Sequence, residues 1–221
     1  MRHVIHDRGE LLRWGLVLVS VSLFSGTLVA VRIVYSGQNY YIFLLWNLFL
    51  AWLPMVFAWM AVQWRKRPFP ALAAASLWLL FFPNAPYLVT DLIHLRAIDP
   101  VPLWYDMILL LDFALLGLFL GFVSLRMMHD LVGSRFGAIA GWLFTITVIG
   151  ASGLGVYIGR FLRWNSWDLF TRPLVLINDV WASLYEPRTL VISSLLALLL
   201  FFAYLIFSIS PNQEQTHQEF L

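Results

Sequence analysis

The chain has 221 residues, 61% of them hydrophobic and 12% charged, and its mean hydropathy is +0.80. A soluble domain carries about 25% charged residues, so this composition excludes an ordinary water-soluble globule and points to a single integral membrane domain over residues 1–210. The formal charge of +2 is carried by basic residues at the ends of apolar runs and not in a nucleic-acid-binding stripe, and the absence of cysteine excludes disulfides, thiolate nucleophiles and cysteine metal ligands.

The N-terminal stretch MRHVIHDRGELLRWG is charged, but no small-residue cleavage site follows the first apolar run, which therefore reads as a retained span and not a removed signal peptide. Several runs reach the ~20 residues that a helix needs to cross the hydrocarbon core. They predict an all-α polytopic transmembrane helix bundle of six spans, at residues 14–34, 41–63, 71–95, 103–125, 136–157 and 189–209. Residues 211–221 are too polar to bury a core and are expected to be a disordered tail. With the N-terminus cytoplasmic, eight lysines and arginines fall inside and six outside, and four of those six lie in or beside one long loop. The short early loops favour N-terminus and C-terminus inside.

The third span begins as continuous membrane-grade sequence and is then interrupted by Pro83 and Pro86. Two prolines so close cannot both sit inside a regular helix, since each removes a donor and clashes with the preceding turn. Two helical pieces are expected, with Asn84 available as the cap of the second. Irregular backbone at membrane depth survives only where it is buried in protein or faces water, so the break is expected to face the bundle interior. In the second piece Asn84, Tyr87, Asp91 and His94 recur at spacings of three and four, which places them on one helix face.

The fourth span carries Asp106 and Asp112, the latter ~13 Å inside the span at the usual rise per residue. A carboxylate at that depth needs a cation or a proton. The fifth span ends in YIGRFLRWNSWDLF, where Tyr157, Arg160 and Arg163 share a face if the helix continues, and Asn165 and Asp168 follow. No comparable charges occur in the cytoplasmic halves of the spans, so the expected site is one-sided. Between spans five and six, Leu174, Ile177, Trp181 and Leu184 recur at helical spacing. They predict an amphipathic interfacial helix over Pro173–Tyr185, with Thr171 as its cap. Glycines four apart in GLFLG, GAIAG and GVYIG let helix backbones approach closely in lipid. They are read first as intrachain packing and second as a face for self-association.

The segments LFFPNAPYLVTDLIHL, PLWYD and GRFLRWNSWDL resemble the signatures of Domain of Unknown Function 1361, a family of bacterial multi-span membrane proteins, and the resemblance covers about residues 40–205. It implies a multi-pass protein of the bacterial inner (plasma) membrane. It implies no activity and no cofactor, so function rests on the residues themselves.

Several readings of those residues stay open. In the first, Asp91, Asp106, Asp112, Asp168, Arg96, Arg160 and Arg163 neutralise one another as an internal salt-bridge network in a structural, non-enzymatic membrane protein. In the second, an outward-facing polar pocket binds an anionic lipid or lipid-linked substrate. Arg160 and Arg163 then hold a phosphate, and Asp91 and His94 act as a catalytic acid/base pair. Asn84, Tyr87, Asn165, Asp168, Asp106 and Asp112 complete that binding set. A third places a metal on Asp91, His94 and Asp168, since Asp-x-x-His puts two ligands on one helix face. A small transporter is disfavoured by the single broken helix and the absence of charges in the inner halves of the spans. In GASG, Ser152 has no base histidine on the sixth span, which disfavours an intramembrane serine protease. Membrane lipids are the expected partners, and no nucleic-acid contact is expected.

Overall fold

A computed structural model describes residues 8–209, so the expected C-terminal tail and the extreme N-terminus lie outside the described residues. The described residues form helices joined by short connections, with no strand among them. Its elements are α1 (Arg8–Ser36), α2 (Phe43–Gln63), α3 (Pro68–Phe81), α4 (Asn84–Thr90) with a 3₁₀ turn over Asp91–His94, α5 (Leu103–Phe136), α6 (Ala138–Phe161), α7 (Asp168–Thr171), α8 (Pro173–Ser183) and α9 (Pro187–Ile209). Counting α3, α4 and the 3₁₀ turn as one, six segments are long and apolar enough to cross a membrane.

α5 is the axis of the bundle and packs against α1, α2, α4, α6 and α9. Of its most apolar window 67% is buried, against 22% for α1 and 17% for α9, so α1 and α9 lie at the periphery and turn most of their leucines and valines to lipid. Around the α5 axis Leu109, Leu110, Phe113 and Leu120 are fully buried with Trp78 and Leu88. In lipid such a core gains from close packing, not from escape from water.

The glycines set the interhelical distances. A Cβ at Gly117 would sit 2.5 Å from the carbonyl oxygen of Ala85, and one at Gly121 would sit 3.2 Å from Ala85 Cβ. GLFLG is thus the seat of α4 on α5. GVYIG brings α6 against the same element, since a Cβ at Gly155 would meet Pro83 Cγ at 2.9 Å and one at Gly159 would meet Tyr87 at 3.2 Å. In GAIAG only Gly141 packs, against His129, while Gly137 has φ +95° and turns the chain between α5 and α6.

Three expectations change. α5 runs to Phe136, eleven residues beyond the expected end at Leu125, and a single residue then joins it to α6. Its 34 residues span about 51 Å at 1.5 Å each, more than the ~40–45 Å of a whole bilayer. The apparent loop with Arg126 and Arg135 is therefore helix. Thr171 does not cap α8; its hydroxyl donates to Asp168 Oδ1 at 3.3 Å, and Arg172 precedes Pro173. The site is not one-sided either. In the far half of α5, His129 is buried with Nδ1 2.9 Å from the Thr145 hydroxyl, its ring edge-on to Trp142 and close to Tyr204, and Arg126 pairs with Asp130 at 3.2 Å.

Candidate functional site

The interruption of the third span is narrow. Phe82 and Pro83 keep helical dihedrals, and Pro86 falls in the first turn of α4, where a missing N–H costs little. The carbonyls left at the break are met from the side. Ser166 Oγ donates to the oxygen of Leu80 at 3.2 Å, and Asn84 Nδ2 donates both to the oxygen of Phe81 at 2.9 Å and to Ser166 Oγ at 3.0 Å. Asn84 is therefore not the cap of α4 but a brace across the break. The 162–167 turn is what makes the break tolerable at membrane depth.

One turn further on, Asp91 is fully buried and both its oxygens are taken. Oδ1 receives Arg160 Nη2, and Oδ2 receives Asn47 Nδ2 at 2.9 Å. Arg160 also donates from Nε to the Thr90 hydroxyl at 2.9 Å, lies with Nη1 2.9 Å from His94 Nε2, and stacks 4.2 Å above the Tyr87 ring. A guanidinium only donates, so His94 faces it with an unprotonated Nε2. The main-chain oxygen of His94 accepts the Tyr41 hydroxyl at 3.0 Å. Of the expected stripe, Tyr87, Asp91 and His94 thus converge on a single cation carried by α6, while Asn84 turns to Ser166. The Arg160 side chain is 11% exposed and that of Asp91 1%.

Each oxygen of Asp91 thus spends one lone pair on a neighbour within the chain, which gives the carboxylate a structural partner in Arg160. The other sequence-predicted residues scatter. Asp106 binds Arg32 through two contacts of 2.6 and 3.0 Å, with both side chains wholly buried and the guanidinium 4.5 Å from the centre of the Tyr41 ring. Arg32 is an interior clasp between α1 and α5. Asp112 lies two turns along α5 with Oδ2 buried and without a hydrogen-bond partner among the described residues. Asp168 accepts the Asn165 backbone N–H at 2.8 Å and orders its own turn. Arg163 is exposed, with φ 61°, where the α6 helix has already ended. No three metal-ligating side chains converge among the described residues, Asp91, His94 and Asp168 included.

Beside the Asp91–Arg160 pair lies a cleft of about 240 Å³. Its polar wall is made by Asn47, Asn84, Tyr87, Asn165 and Ser166. Its apolar wall comes from α2, the 162–167 turn, α7 and α8, with Trp46, Leu50, Trp164, Leu169, Leu176 and Val180. None of its lining residues is charged. The indole N–H of Trp164 donates to Asp179 Oδ2 at 3.0 Å, which ties the turn to α8. On the far side of α8, Leu174, Ile177 and Trp181 are exposed, as an interfacial helix requires. Asn47 and Thr90 were not anticipated. Asn47 is the one amide in the interior of an apolar span that ends at Gln63, and that is a readable signal. Thr90 carries none beyond its place beside Asp91.

A family profile described as "Protein of unknown function (DUF1361)" matches residues 46–207, which takes in every element of the cleft and of the Arg160 cluster. The chain belongs to this family. No curated protein and no solved structure matches it. Membership of DUF1361 brings no reaction with it, so the cleft has to be read from its own chemistry.

Proposed function

We propose that this DUF1361 protein binds the polar head of a membrane lipid or lipid-linked molecule in the cleft between α2, α4, α6 and α8. The Asp91–Arg160 pair then holds the walls in place and does not touch the ligand. The observation that carries the reading is the cleft itself, where amide and hydroxyl groups on the broken helix face apolar side chains of an interfacial helix. At about 240 Å³ it is below the ~300–1,000 Å³ of sites that engulf a whole drug-sized ligand, which suits a head whose chains remain in the bilayer. Arg65, Lys66 and Arg67 lie in the opposite α2–α3 loop. That placement supports a cleft facing away from the cytoplasm, with both termini inside, in a bacterial inner membrane.

The test is native mass spectrometry of the detergent-purified protein beside a Val180→Trp variant, which fills the cleft from α8. A co-purifying lipid that is lost in a folded variant is the expected result. Equal retention by both, or none by either, refutes the reading. The second reading, a structural membrane protein with no ligand, is favoured by one observation: each oxygen of the Asp91 carboxylate already has a hydrogen-bond donor within the chain.

A further inference from the structure

The hydrogen bonds already made by the cleft restrict what else it can hold. The Asn47 amide points its nitrogen at a carboxylate and the Asn84 amide points its nitrogen at a backbone carbonyl. Both orientations are therefore fixed, since neither partner can donate. Each amide oxygen is left as an acceptor without a partner among the described residues. The Tyr87 hydroxyl also has no partner among them, because Tyr87 meets Arg160 through its ring. The Asn165 side chain spends only its nitrogen, on Asp168, and its amide oxygen is left over.

The wall thus offers three amide oxygens, a phenol and the second hydrogens of Asn47 and Asn165. It offers no cation, because Arg160 is turned to Asp91, Thr90 and His94. A phosphate only accepts, and it would meet three carbonyl-type oxygens with no charge to offset them. An ammonium would have to shed water in a wall without a free carboxylate, which is costly. A hydroxyl both gives and takes, and so matches a mixed set. The indoles of Trp46 and Trp164 line the same cleft, and an indole face packs well against the C–H side of a sugar ring while its hydroxyls reach polar partners.

We propose that the cleft takes an uncharged, hydroxyl-rich head, of which a glycosyl group on a lipid is the chemical type. This rests on the reading of the cleft as a lipid-head site and goes beyond it by excluding phosphate and amine heads.

The experiment uses the full chain in a zwitterionic detergent without a sugar head, titrated with three dioctanoyl lipids: monoglucosyl-diacylglycerol, phosphatidic acid and phosphatidylethanolamine. The glucosyl lipid is expected to bind at least about tenfold more tightly than either phospholipid. Tyr87→Phe keeps the ring on Arg160 and removes only the hydroxyl. This variant and, separately, Asn165→Leu in the exposed turn are each expected to weaken the glucosyl lipid by about 3–10-fold, the effect of one hydrogen bond, and to leave the phospholipids unchanged. Melting temperatures equal to that of the wild type establish that the variants are folded. Phosphatidic acid or phosphatidylethanolamine binding as tightly as the glucosyl lipid overturns the head class while leaving the lipid site standing. A glucosyl affinity that neither variant alters also overturns it. Failure of all three lipids to bind overturns the lipid site itself.

Discussion

Replacing Asp91 by Asn keeps the volume of the side chain and removes its charge. If the new amide oxygen faces Arg160, its nitrogen faces Asn47 Nδ2, donor against donor; if reversed, it faces the guanidinium. One hydrogen bond is lost either way, and Arg160, 11% exposed, loses its counter-charge. A hydrogen bond to a charged group contributes about 1.5–3 kcal/mol, and an orphaned buried group costs about 1–3. The sum agrees with the ~3–5 kcal/mol for removing one partner of a buried ion pair. For a chain of this size it corresponds to a fall of about 6–20 °C in the unfolding midpoint. The assay is thermal unfolding in detergent of the wild type, Asp91→Asn, Arg160→Gln and the double variant. Because the double variant leaves no buried charge, it is expected to lose less than the two singles added, with a coupling of about 1–3 kcal/mol. An Asp91→Asn midpoint within about 2 °C of wild type, or strict additivity, would refute the argument that this pair holds α6 to the broken helix.

Three further outcomes are expected. Asp106→Asn should cost at least as much as Asp91→Asn, because both side chains of that pair are wholly buried and Arg32 is left with little beyond the Tyr41 ring. The fraction recovered as a single species by size exclusion reports it, and Arg32→Met with Asp106→Leu should restore much of the loss. Gly117→Ala drives a Cβ to within 2.5 Å of the Ala85 oxygen and 2.7 Å of Leu88 Cδ1, a cost of about 1–3 kcal/mol. Gly150→Ala meets nothing within 4 Å and should be neutral or better by up to ~1 kcal/mol, so melting curves of the two variants test whether close approach or helix propensity decides. Ser166→Ala removes the donor to Leu80 and the acceptor for Asn84, and about 1–3 kcal/mol should go with each orphaned group. Faster hydrogen exchange confined to residues 80–86 would locate that loss at the break.

The number of spans, the break in the third and the amphipathic α8 were legible in the sequence because each is local. Twenty apolar residues, two prolines three apart and a helical repeat of Leu174, Ile177 and Trp181 are properties of neighbouring residues. The inward direction of Tyr87, Asp91 and His94 was legible for the same reason, since spacing alone assigns residues to a face. The extent of α5 was not. The ten residues after Leu125 are polar enough to read as a loop, yet Leu125, Met127, Met128 and His129 are buried in the packed helix, and tertiary burial outweighs local polarity there.

The charges divide along the same line. The sequence by itself determined that carboxylates and arginines lie at membrane depth and must be compensated, because lipid permits nothing else. Which charge meets which was decided only in three dimensions. Arg32 and Asp106 are 74 residues apart, and Arg160 and Asp91 are 69 apart. No spacing rule reaches across such distances, and the glycine contacts that bring α6 onto α4 settle the second pair. Once Arg160 is bound to Asp91, the neighbouring cleft is left with amides, a phenol and indoles, and that uncharged wall is a property of the fold alone.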